Sequence, residues 1–350
     1  MQKEIINVRL SDDGTAVVIL DQTLLPNKTK YIELRTVSEM YDAITSLRVR
    51  GAPAIGIFAA YALYVVARNL QADSYEAFRS EIMKSSALLS FSRPTAVNLV
   101  KQLRRVERLV ESLAGEPLSQ IVDAMRKEAE SIRDEDVEMC RAISEFGLEL
   151  IRDGFGILTY CNAGPIATSR YGTGLGPIFL AHERGWDLNV FCCETRPLLQ
   201  GARLTTYELS KAGIECTLIC DNMVSSVMSH GMIDAVFVGC DRVARNGDVA
   251  NKIGTSSLAI QAKHYSIPLY VFCPSSTFDP DCMTGEDIEI EHRNPGEIKE
   301  LYFSKPISPA GVKCYNPAFD ITDHRLVTAI ITEKGVCKPP YIESLACLVN

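Results

Sequence analysis

From residue 156 onwards the chain alternates between short apolar strands and helices, and this alternation limits the possible folds more than any other feature. Strands are predicted at 156–161, 188–193, 214–220, 234–240 and 268–273, with helices after the first four at 176–185, 203–212, 222–230 and 252–264. One strand and one helix in every ~20–35 residues is typical of a parallel sheet covered by helices on both faces. We therefore predict a Rossmann-like, doubly wound α/β domain over residues 154–350.

The first 153 residues follow another pattern and are predicted to form a separate, mostly helical domain. Apolar runs at 4–9 and 15–20, separated by a polar turn, predict a β-hairpin, with a third strand at 30–34. Apolar residues have helical spacing from Ser38 onwards, which predicts a helix there. Further helices are predicted at 54–70, 74–91 and 95–113, followed by one long helix or two over 116–152. The predicted fold class is thus α/β, with a small antiparallel sheet in the helical domain.

Two segments of the second domain carry weaker patterns. Residues 242–251 are predicted to be a loop, so that Lys252 begins the helix at 252–264. Residues 310–336 are predicted to supply a further loop and helix, and the C-terminal tail is expected to be peripheral.

Composition excludes several classes of partner. The net charge of −8 over 350 residues offers no general attraction to nucleic acid or to an anionic membrane. The apolar stretch from Ala52 to Ala67 contains a proline and is shorter than the ~20 residues of a membrane span. The 12 cysteines are irregularly spaced and the N-terminus lacks the apolar core of a signal peptide, so we expect reduced thiols and a cytoplasmic location.

Polar residues recur where the predicted strands end, which is where parallel sheets bind ligands. They are Cys161, Glu194, Asp221, Asp241 and Ser275. The alternative role for each is to cap the next helix, and that role is favoured for Asp221 and Ser275. Asp241 precedes the next predicted helix by about ten residues, too far for local capping. Cys161 and Asp241 are therefore the candidate reactive groups, on one edge of the sheet.

Cofactor and metal motifs do not fit. The glycines of Gly172–Pro177 have the wrong spacing for a dinucleotide fingerprint and begin about ten residues after the strand. No phosphate-binding GxxxxGK is present, and the five histidines are scattered without a metal-ligand spacing. We predict neither a cofactor nor a metal.

A phosphate group could be held by cations at predicted helix starts. Arg50 precedes the amides of Gly51 and Ala52, where N–H groups and the helix dipole favour an anion. Arg93 precedes Pro94 in a similar pattern, and Lys252 lies at a third predicted helix start. The alternative for each cation is a solvated surface charge, and spacing alone leaves both readings open.

Seven motifs in sequence order carry a more specific signal. They are Val49–Gly56, Ser92–Asn98, Thr159–Gly164, Glu194–Arg203, Asp221–Met223, Asp241–Lys252 and Asn316–Asp320. With them the chain resembles the S-methyl-5-thioribose-1-phosphate isomerase family over nearly its whole length. The resemblance implies an aldose–ketose isomerase of methionine salvage that works as a homodimer on a small sugar phosphate.

The same resemblance implies a role for individual residues. Asp241 would be the acid/base residue and Cys161 its partner. The implied substrate clamp, in a cleft between the two domains, consists of Arg50, Gly51, Ala52, Arg93, Gln200, Asn251 and Lys252. A carboxyl group in an apolar setting has a raised pKa and can donate a proton and then accept one, so we expect such a setting around Asp241.

Two alternatives to that function stay open. A sister activity on 5-deoxyribose 1-phosphate would use the same residues and differ only at the C5 side of the sugar. Two departures from the family pattern leave the choice of substrate open. Cys240 stands where the family usually has alanine, and Pro165–Ile166 replaces a small or aliphatic pair. The second alternative is a non-catalytic regulatory subunit that senses a sugar phosphate, a class with the same broad fold.

Overall fold

The computed structural model describes residues 5–93 and 97–348, and the chain divides into two compact units. Residues 5–138, together with 165–172, form the N-terminal unit, and residues 139–164, together with 173–348, form the C-terminal unit. The boundary between these compact units lies between residues 138 and 139, inside a long helix. The predicted domain limit between residues 153 and 154 stays a prediction.

The described residues of the N-terminal unit contain the predicted small sheet and five helices. Strands β1 (Val8–Leu10), β2 (Val17–Leu20) and β3 (Tyr31–Leu34) pair antiparallel in that order, which confirms the predicted hairpin and third strand. The helices are α1 (Val37–Thr45), α2 (Ala52–Asn69), α3 (Tyr75–Phe91), α4 (Val97–Ser112) and α5 (Leu118–Leu148). The segment predicted as one helix or two is therefore a single helix, α5, which continues into the C-terminal unit.

Helix α2 is the core element of the N-terminal unit. By length and composition alone it could cross a membrane, but most of its side chains, including Phe58, Tyr61 and Leu63, are buried within the unit. It packs mainly against α4 and also against α3 and β1. An all-round apolar helix of this kind is the expected centre of a helical core.

The C-terminal unit contains eleven strands and six further helices within its described residues. The strands are β4 (Gly156–Tyr160), β5 (Asn189–Cys193), β6 (Cys216–Ile219), β7 (Ala235–Val238), β8 (Arg242–Ala244), β9 (Val249–Lys252), β10 (Leu269–Phe272), β11 (Phe278–Asp279), β12 (Phe319–Thr322), β13 (Ala329–Thr332) and β14 (Gly335–Cys337). The helices are α6 (Gly176–Glu183), α7 (Thr206–Ala212), α8 (Val224–Ser229), α9 (Thr255–His264), α10 (Gly296–Lys299) and α11 (Tyr341–Ala346).

The main sheet has the order β14-β13-β10-β7-β4-β5-β6. All of its neighbouring pairs are parallel except β13 with β14 at one edge. From β4 the chain adds β5 and β6 on one side and then crosses to add β7, β10 and β13 on the other. This confirms the Rossmann-like fold, with its change of winding direction between β4 and β7.

The central strands are buried on both faces, as a parallel sheet between helices requires. Leu158, Val236 and Val238 belong to the core on one face. Ile157 and Phe237 belong to the core on the other face. Continuous apolar runs in β4 and β7 follow from this double burial, and they are the reason the strands could be located in the sequence.

The segment after β7 differs from the prediction. Residues 242–252 are not a loop but form the hairpin β8–β9, part of a second sheet with the order β11-β8-β9-β12. Lys252 is the last residue of β9, and helix α9 begins at Thr255. The predicted helix start at Lys252 is therefore wrong, because antiparallel pairing with β12 keeps residues 249–252 extended.

The C-terminal part also differs from the prediction. Residues 310–336 supply β12, β13 and part of β14, with no α-helix in this described stretch. The Ala-Ile-Ile-Thr run of β13 is fully buried beside β10, a setting that favours β-branched residues in strands. The tail is not peripheral: Tyr341 and Leu345 of α11 are buried in the core, and the Tyr341 hydroxyl donates to the Val327 carbonyl at 2.9 Å.

We expect Leu345→Ala to lower the free energy of unfolding by about 2–5 kcal/mol, because it leaves a cavity in a closed core. Ile342→Ala, in the same helix but 58% exposed, is the matched control and should change it by less than about 0.5 kcal/mol. Urea unfolding followed by circular dichroism measures both. Equal effects of the two variants would contradict the buried position of α11.

Candidate active site

Cys161 lies immediately beyond the carboxyl end of β4, and its backbone is held on both sides. Its amide donates to Thr195 Oγ1 at 2.8 Å, and its carbonyl accepts from Thr205 Oγ1 at 2.6 Å. The residue has φ of 63°, a left-handed conformation that costs free energy for a residue with a side chain. Thr195 and Leu199 in the loop after β5 are also left-handed. Such strained backbone clusters at functional sites.

Asp221 fixes the loop that contacts Cys161. One carboxylate oxygen accepts from the Thr195 amide at 2.8 Å and the other from the Arg196 amide at 2.7 Å. The side chain does not cap its own helical turn, so the favoured alternative for this residue was wrong. The same holds for Ser275, whose amide donates to Glu333 and whose hydroxyl contacts the same carboxylate.

A buried polar cluster lies directly behind Cys161. The Asn162 side chain donates to Thr205 Oγ1 at 3.2 Å and to the carboxylate of Glu208, which is fully buried. A Cβ at Gly164 would lie 2.4 Å from Glu208 Oε2, so a side chain there would require Glu208 to move. Sequence reasoning missed Thr205 and Glu208. The sequence carries no clear signal for them, because both are polar residues in a helical segment of mixed polarity.

Gln200 begins an unusual turn between β5 and α7. Residues Gly201–Thr205 form a π-helical turn, so the helix predicted at 203–212 is regular only from Thr206. π-helical turns are frequent at functional sites. The Gln200 side chain is only 5% exposed, and its Oε1 has no hydrogen-bond partner within the part of the chain that the structure describes. A buried acceptor of this kind is available to a ligand that donates a hydrogen bond.

Asp241 follows β7 on the same sheet edge as Cys161. Tyr160 pairs with Val238 in the register of β4 and β7, so both candidate residues lie beyond the carboxyl ends of adjacent parallel strands. The Asp241 amide donates to the Ala250 carbonyl of β9 at 3.0 Å. The residue is exposed, so the apolar setting expected for it is not present in the chain as described.

Asn251 and Lys252 end strand β9 and are held by local contacts. Asn251 is buried, and its Nδ2 donates to Thr255 Oγ1 at 3.1 Å. The Lys252 ammonium donates to the Ala318 carbonyl at 3.1 Å and lies 4.6 Å from the centre of the Phe319 ring. Both side chains are therefore ordered by strand β12 and by the start of α9.

The clamp residues of the N-terminal unit lie at the ends of helices. Gly51 precedes α2 with φ of 100°, and a Cβ there would lie 2.5 Å from the Ala167 carbonyl oxygen, so only glycine fits. Ala52 is the first residue of α2, which has no side-chain cap at its N-terminus. Arg50 and Arg93 are both half-buried, and Arg93 follows the end of α3. Pro94 and Thr95 lie outside the described residues.

The glycine-rich segment Gly172–Pro177 has a packing role. Gly174 approaches the backbone at the end of β7, where a Cβ would lie 3.1 Å from the Gly239 nitrogen.

Among the described residues, one group has the composition of a metal site: Asp248, Asp323 and His324. His324 Nδ1 lies 2.8 Å from Asp248 Oδ1, and the backbone amides of His324 and Gly285 also donate to Asp248. These contacts account for the cluster without an ion.

Comparison with known proteins finds a matching family model and similar isomerases over nearly the whole chain. The family model described as "Initiation factor 2 subunit family" matches residues 48–339. A methylthioribose-1-phosphate isomerase of Symbiobacterium thermophilum is 56% identical over 345 residues, covering 99% of this chain and 96% of the relative. A 5-deoxyribose 1-phosphate isomerase of Petrotoga mobilis is 53% identical over 341 residues, covering 97% and 98%. The solved structure of a 5-methylthioribose 1-phosphate isomerase of Pyrococcus horikoshii OT3 has a TM-score of 0.94 at 40% identity, covering 100% and 97%.

We expect Asp221→Asn to loosen the loop after β5. Asparagine offers one acceptor where aspartate offers two, so either the Thr195 or the Arg196 amide loses its acceptor. Hydrogen exchange at that amide should become about 5- to 150-fold faster. Residue-resolved exchange by NMR measures this.

Asp234→Asn is the matched control for that experiment. It removes the same charge at the amino end of β4, where Asp234 accepts from the Gly156 amide at 2.7 Å. Exchange at Thr195 and Arg196 should stay at the wild-type rate in the control. Equal acceleration in both variants would mean that Asp221 has no specific effect on the loop.

Proposed function

The chain belongs to the initiation factor 2 subunit family, and from this membership and its isomerase relatives we propose that it is an aldose–ketose isomerase. The proposed reaction converts 5-methylthioribose 1-phosphate into 5-methylthioribulose 1-phosphate, a step of methionine salvage. The observation that carries the mechanism is the position of Cys161 and Asp241 beyond adjacent strands, where the sheet changes winding direction. Open α/β sheets bind their ligands at this point.

The substrate sets the chemical requirements of the site. C1 of an aldose 1-phosphate is an acetal carbon, so the sugar has no free aldehyde. The ring must open with a proton delivered to the ring oxygen. The hydrogen of C2 must then move to C1 while the C2 hydroxyl loses its proton. One group that donates and then accepts a proton can therefore complete the cycle with no net change in protonation.

We assign the proton transfers to Asp241. A carboxyl group can donate to the ring oxygen and then accept the proton of the C2 hydroxyl. Its backbone is fixed by the hydrogen bond to Ala250, while its side chain is exposed and accessible to a ligand. A bound sugar would displace water from the carboxyl group and strengthen its electrostatic interactions with the substrate.

Cys161 is proposed to act at the C1–C2 edge of the substrate. The half-buried thiol is presented by a strained turn, and two threonine hydroxyl groups fix the backbone of that turn. A group held in this way does not need to reorganise during the reaction, which is the main source of electrostatic catalysis. We propose that the thiol exchanges a proton or stabilises charge at this edge.

The remaining residues are proposed to bind the substrate. Arg50 and Arg93 supply charge for the phosphate, and the amides of Gly51 and Ala52, at the start of α2, supply donors for an anion. Gln200, Asn251 and Lys252 supply further polar contacts, of which the buried Gln200 oxygen suits a sugar hydroxyl. We also propose that the enzyme is a cytoplasmic homodimer and that it needs neither a metal nor a cofactor.

A second candidate substrate is 5-deoxyribose 1-phosphate, favoured by the Petrotoga mobilis relative. The two esters share the phosphate, the ring and the reacting carbons, and differ only at C5. The third candidate, a non-catalytic regulatory subunit, is raised by the name of the family. It accounts for ligand binding, but it gives no role to a cysteine and an aspartate at the point where the sheet changes direction.

We expect Asp241→Asn to lower kcat by about 10²- to 10⁴-fold with little change in KM, because proton transfer is lost while the shape of the site is kept. Cys161→Ser should lower kcat in the same range. Initial rates of ketose formation, followed by NMR, measure both. A wild-type kcat in Asp241→Asn would remove the assignment.

Two exposed residues serve as matched controls for these variants. Asp281→Asn and Cys347→Ser make the same chemical changes at exposed positions outside the strands of the main sheet. Both controls should keep kcat and KM within about twofold of the wild type, since surface substitutions of this kind have small effects.

The substrate is tested by measuring kcat/KM for both esters with the same protein. We expect a preference of about 10- to 200-fold for the methylthio ester, the effect of a small apolar group in a fitted pocket. The reverse preference would assign the chain to 5-deoxyribose 1-phosphate. Binding of either ester without ketose formation would overturn the isomerase proposal and support the regulatory subunit.

A further inference from the structure

The motif Asn316–Asp320 has no part in the mechanism proposed above, although it is one of the seven sequence motifs. In the structure it leads into β12, which pairs antiparallel with β9. Phe319 is the register partner of Lys252, and Asp320 is the partner of Asn251. The motif therefore lies directly beside two of the residues proposed to bind the substrate.

Two groups of the motif contact the Lys252 ammonium. The Ala318 carbonyl accepts from it at 3.1 Å, and the Phe319 ring centre lies 4.6 Å from it. The ring distance is within the range of a cation–π interaction, which extends to about 6 Å. The same Ala318 carbonyl also accepts from the Ile253 amide at 3.1 Å, so the backbone and the side chain of this segment converge on one oxygen.

Asp320 fixes the chain immediately after Lys252. Its carboxylate accepts from the Gly254 amide at 2.7 Å and from the Ser256 amide at 3.2 Å, at the start of α9. Burial raises the pKa of Asp320, while the two amides and the Lys252 charge act in the opposite direction. The carboxylate thus holds the helix start from a neighbouring strand.

Asn316 holds the other end of the motif. It is buried, and its Nδ2 donates to the Asn294 carbonyl at 2.9 Å and to Glu297 Oε2 at 3.1 Å. Glu297 is paired in turn with Arg293. Both ends of the motif are therefore anchored, and Phe319 between them has a fixed position.

We propose that Phe319 is a positioning residue, which orients the Lys252 ammonium towards the anionic substrate. This inference rests on the proposed function, because it takes Lys252 as a substrate contact. A lysine side chain has four flexible carbons, and ordering it on binding costs conformational entropy. An aromatic face and a neutral carbonyl order the ammonium in advance. Neither of these two groups carries a negative charge that would compete with the anion for the ammonium.

Phe319→Leu should weaken binding of 5-methylthioribose 1-phosphate by about 2- to 30-fold, the range of a cation–π contact. The effect should appear in KM and leave kcat within about twofold, because Lys252 contributes to binding of the ground state and the transition state alike. Phe278→Leu, in the opposite edge strand of the same sheet, is the matched control and should leave KM unchanged.

A series of fluorinated phenylalanines at position 319 separates the electrostatic role from packing. Mono-, di- and trifluorophenylalanine keep the shape of the ring and progressively weaken its negative face. We expect KM to rise at each step. The same series in a Lys252→Met background should show no trend, since the partner cation is absent. A flat series, or an equal trend in both backgrounds, overturns the inference.

The dissociation constant of the ester, measured by calorimetry in an Asp241→Asn background, gives a readout that does not depend on turnover. If the wild-type chain forms no ketose, the proposed function fails, but the fluorine series in this binding assay still decides the role of Phe319. If ketose forms and the series is flat, only the present inference fails. Absence of ester binding to the wild-type chain overturns both.

Discussion

The parallel pairing of β4 with β5 on one side and β7 on the other is the constraint on which the C-terminal unit depends. Since β4 is the strand from which the chain winds in both directions, the segments leaving β4 and β7 must diverge to opposite faces of the sheet. Cys161 follows one of these strands and Asp241 follows the other. The topology thus brings together residues 80 positions apart with no direct interaction required between them.

This arrangement also explains why the main sheet could be predicted from the sequence. Strands buried on both faces need continuous apolar runs, and β4, β7 and β10 have them. The hairpin β8–β9 lacks such a run: it belongs to a small sheet, and the polar residues from Arg245 to Asp248 at its turn are typical of a loop. Its strands depend on pairing with β12, about 70 residues later in the sequence. Local pattern carries no information about a partner at that distance.

Some residues of the candidate site could also be predicted from the sequence, and others could not. Residues at the ends of strong strands, such as Cys161 and Asp241, could be located from spacing, and the family resemblance supplied their roles. Asp221 was also located, but its function was not, because its partners are backbone amides on the neighbouring strand's loop. Thr205 and Glu208 were missed, since their importance comes from contacts with Cys161 and Asn162 across the fold. Sequence indicates which groups are available, whereas hydrogen-bond partners are set by tertiary structure.

The two candidate reactive groups are held in different ways, and the difference agrees with the role proposed for each. Cys161 has its amide and carbonyl fixed by threonine hydroxyls in a strained turn, so its position is set before a ligand arrives. The Asp241 amide donates to the Ala250 carbonyl, and the side chain of Asp241 is exposed. A group that donates a proton to one oxygen and then accepts one from another must reach both. An exposed carboxyl group after one strand, and a thiol on a fixed backbone turn after the adjacent strand, therefore suit the two successive proton transfers proposed above.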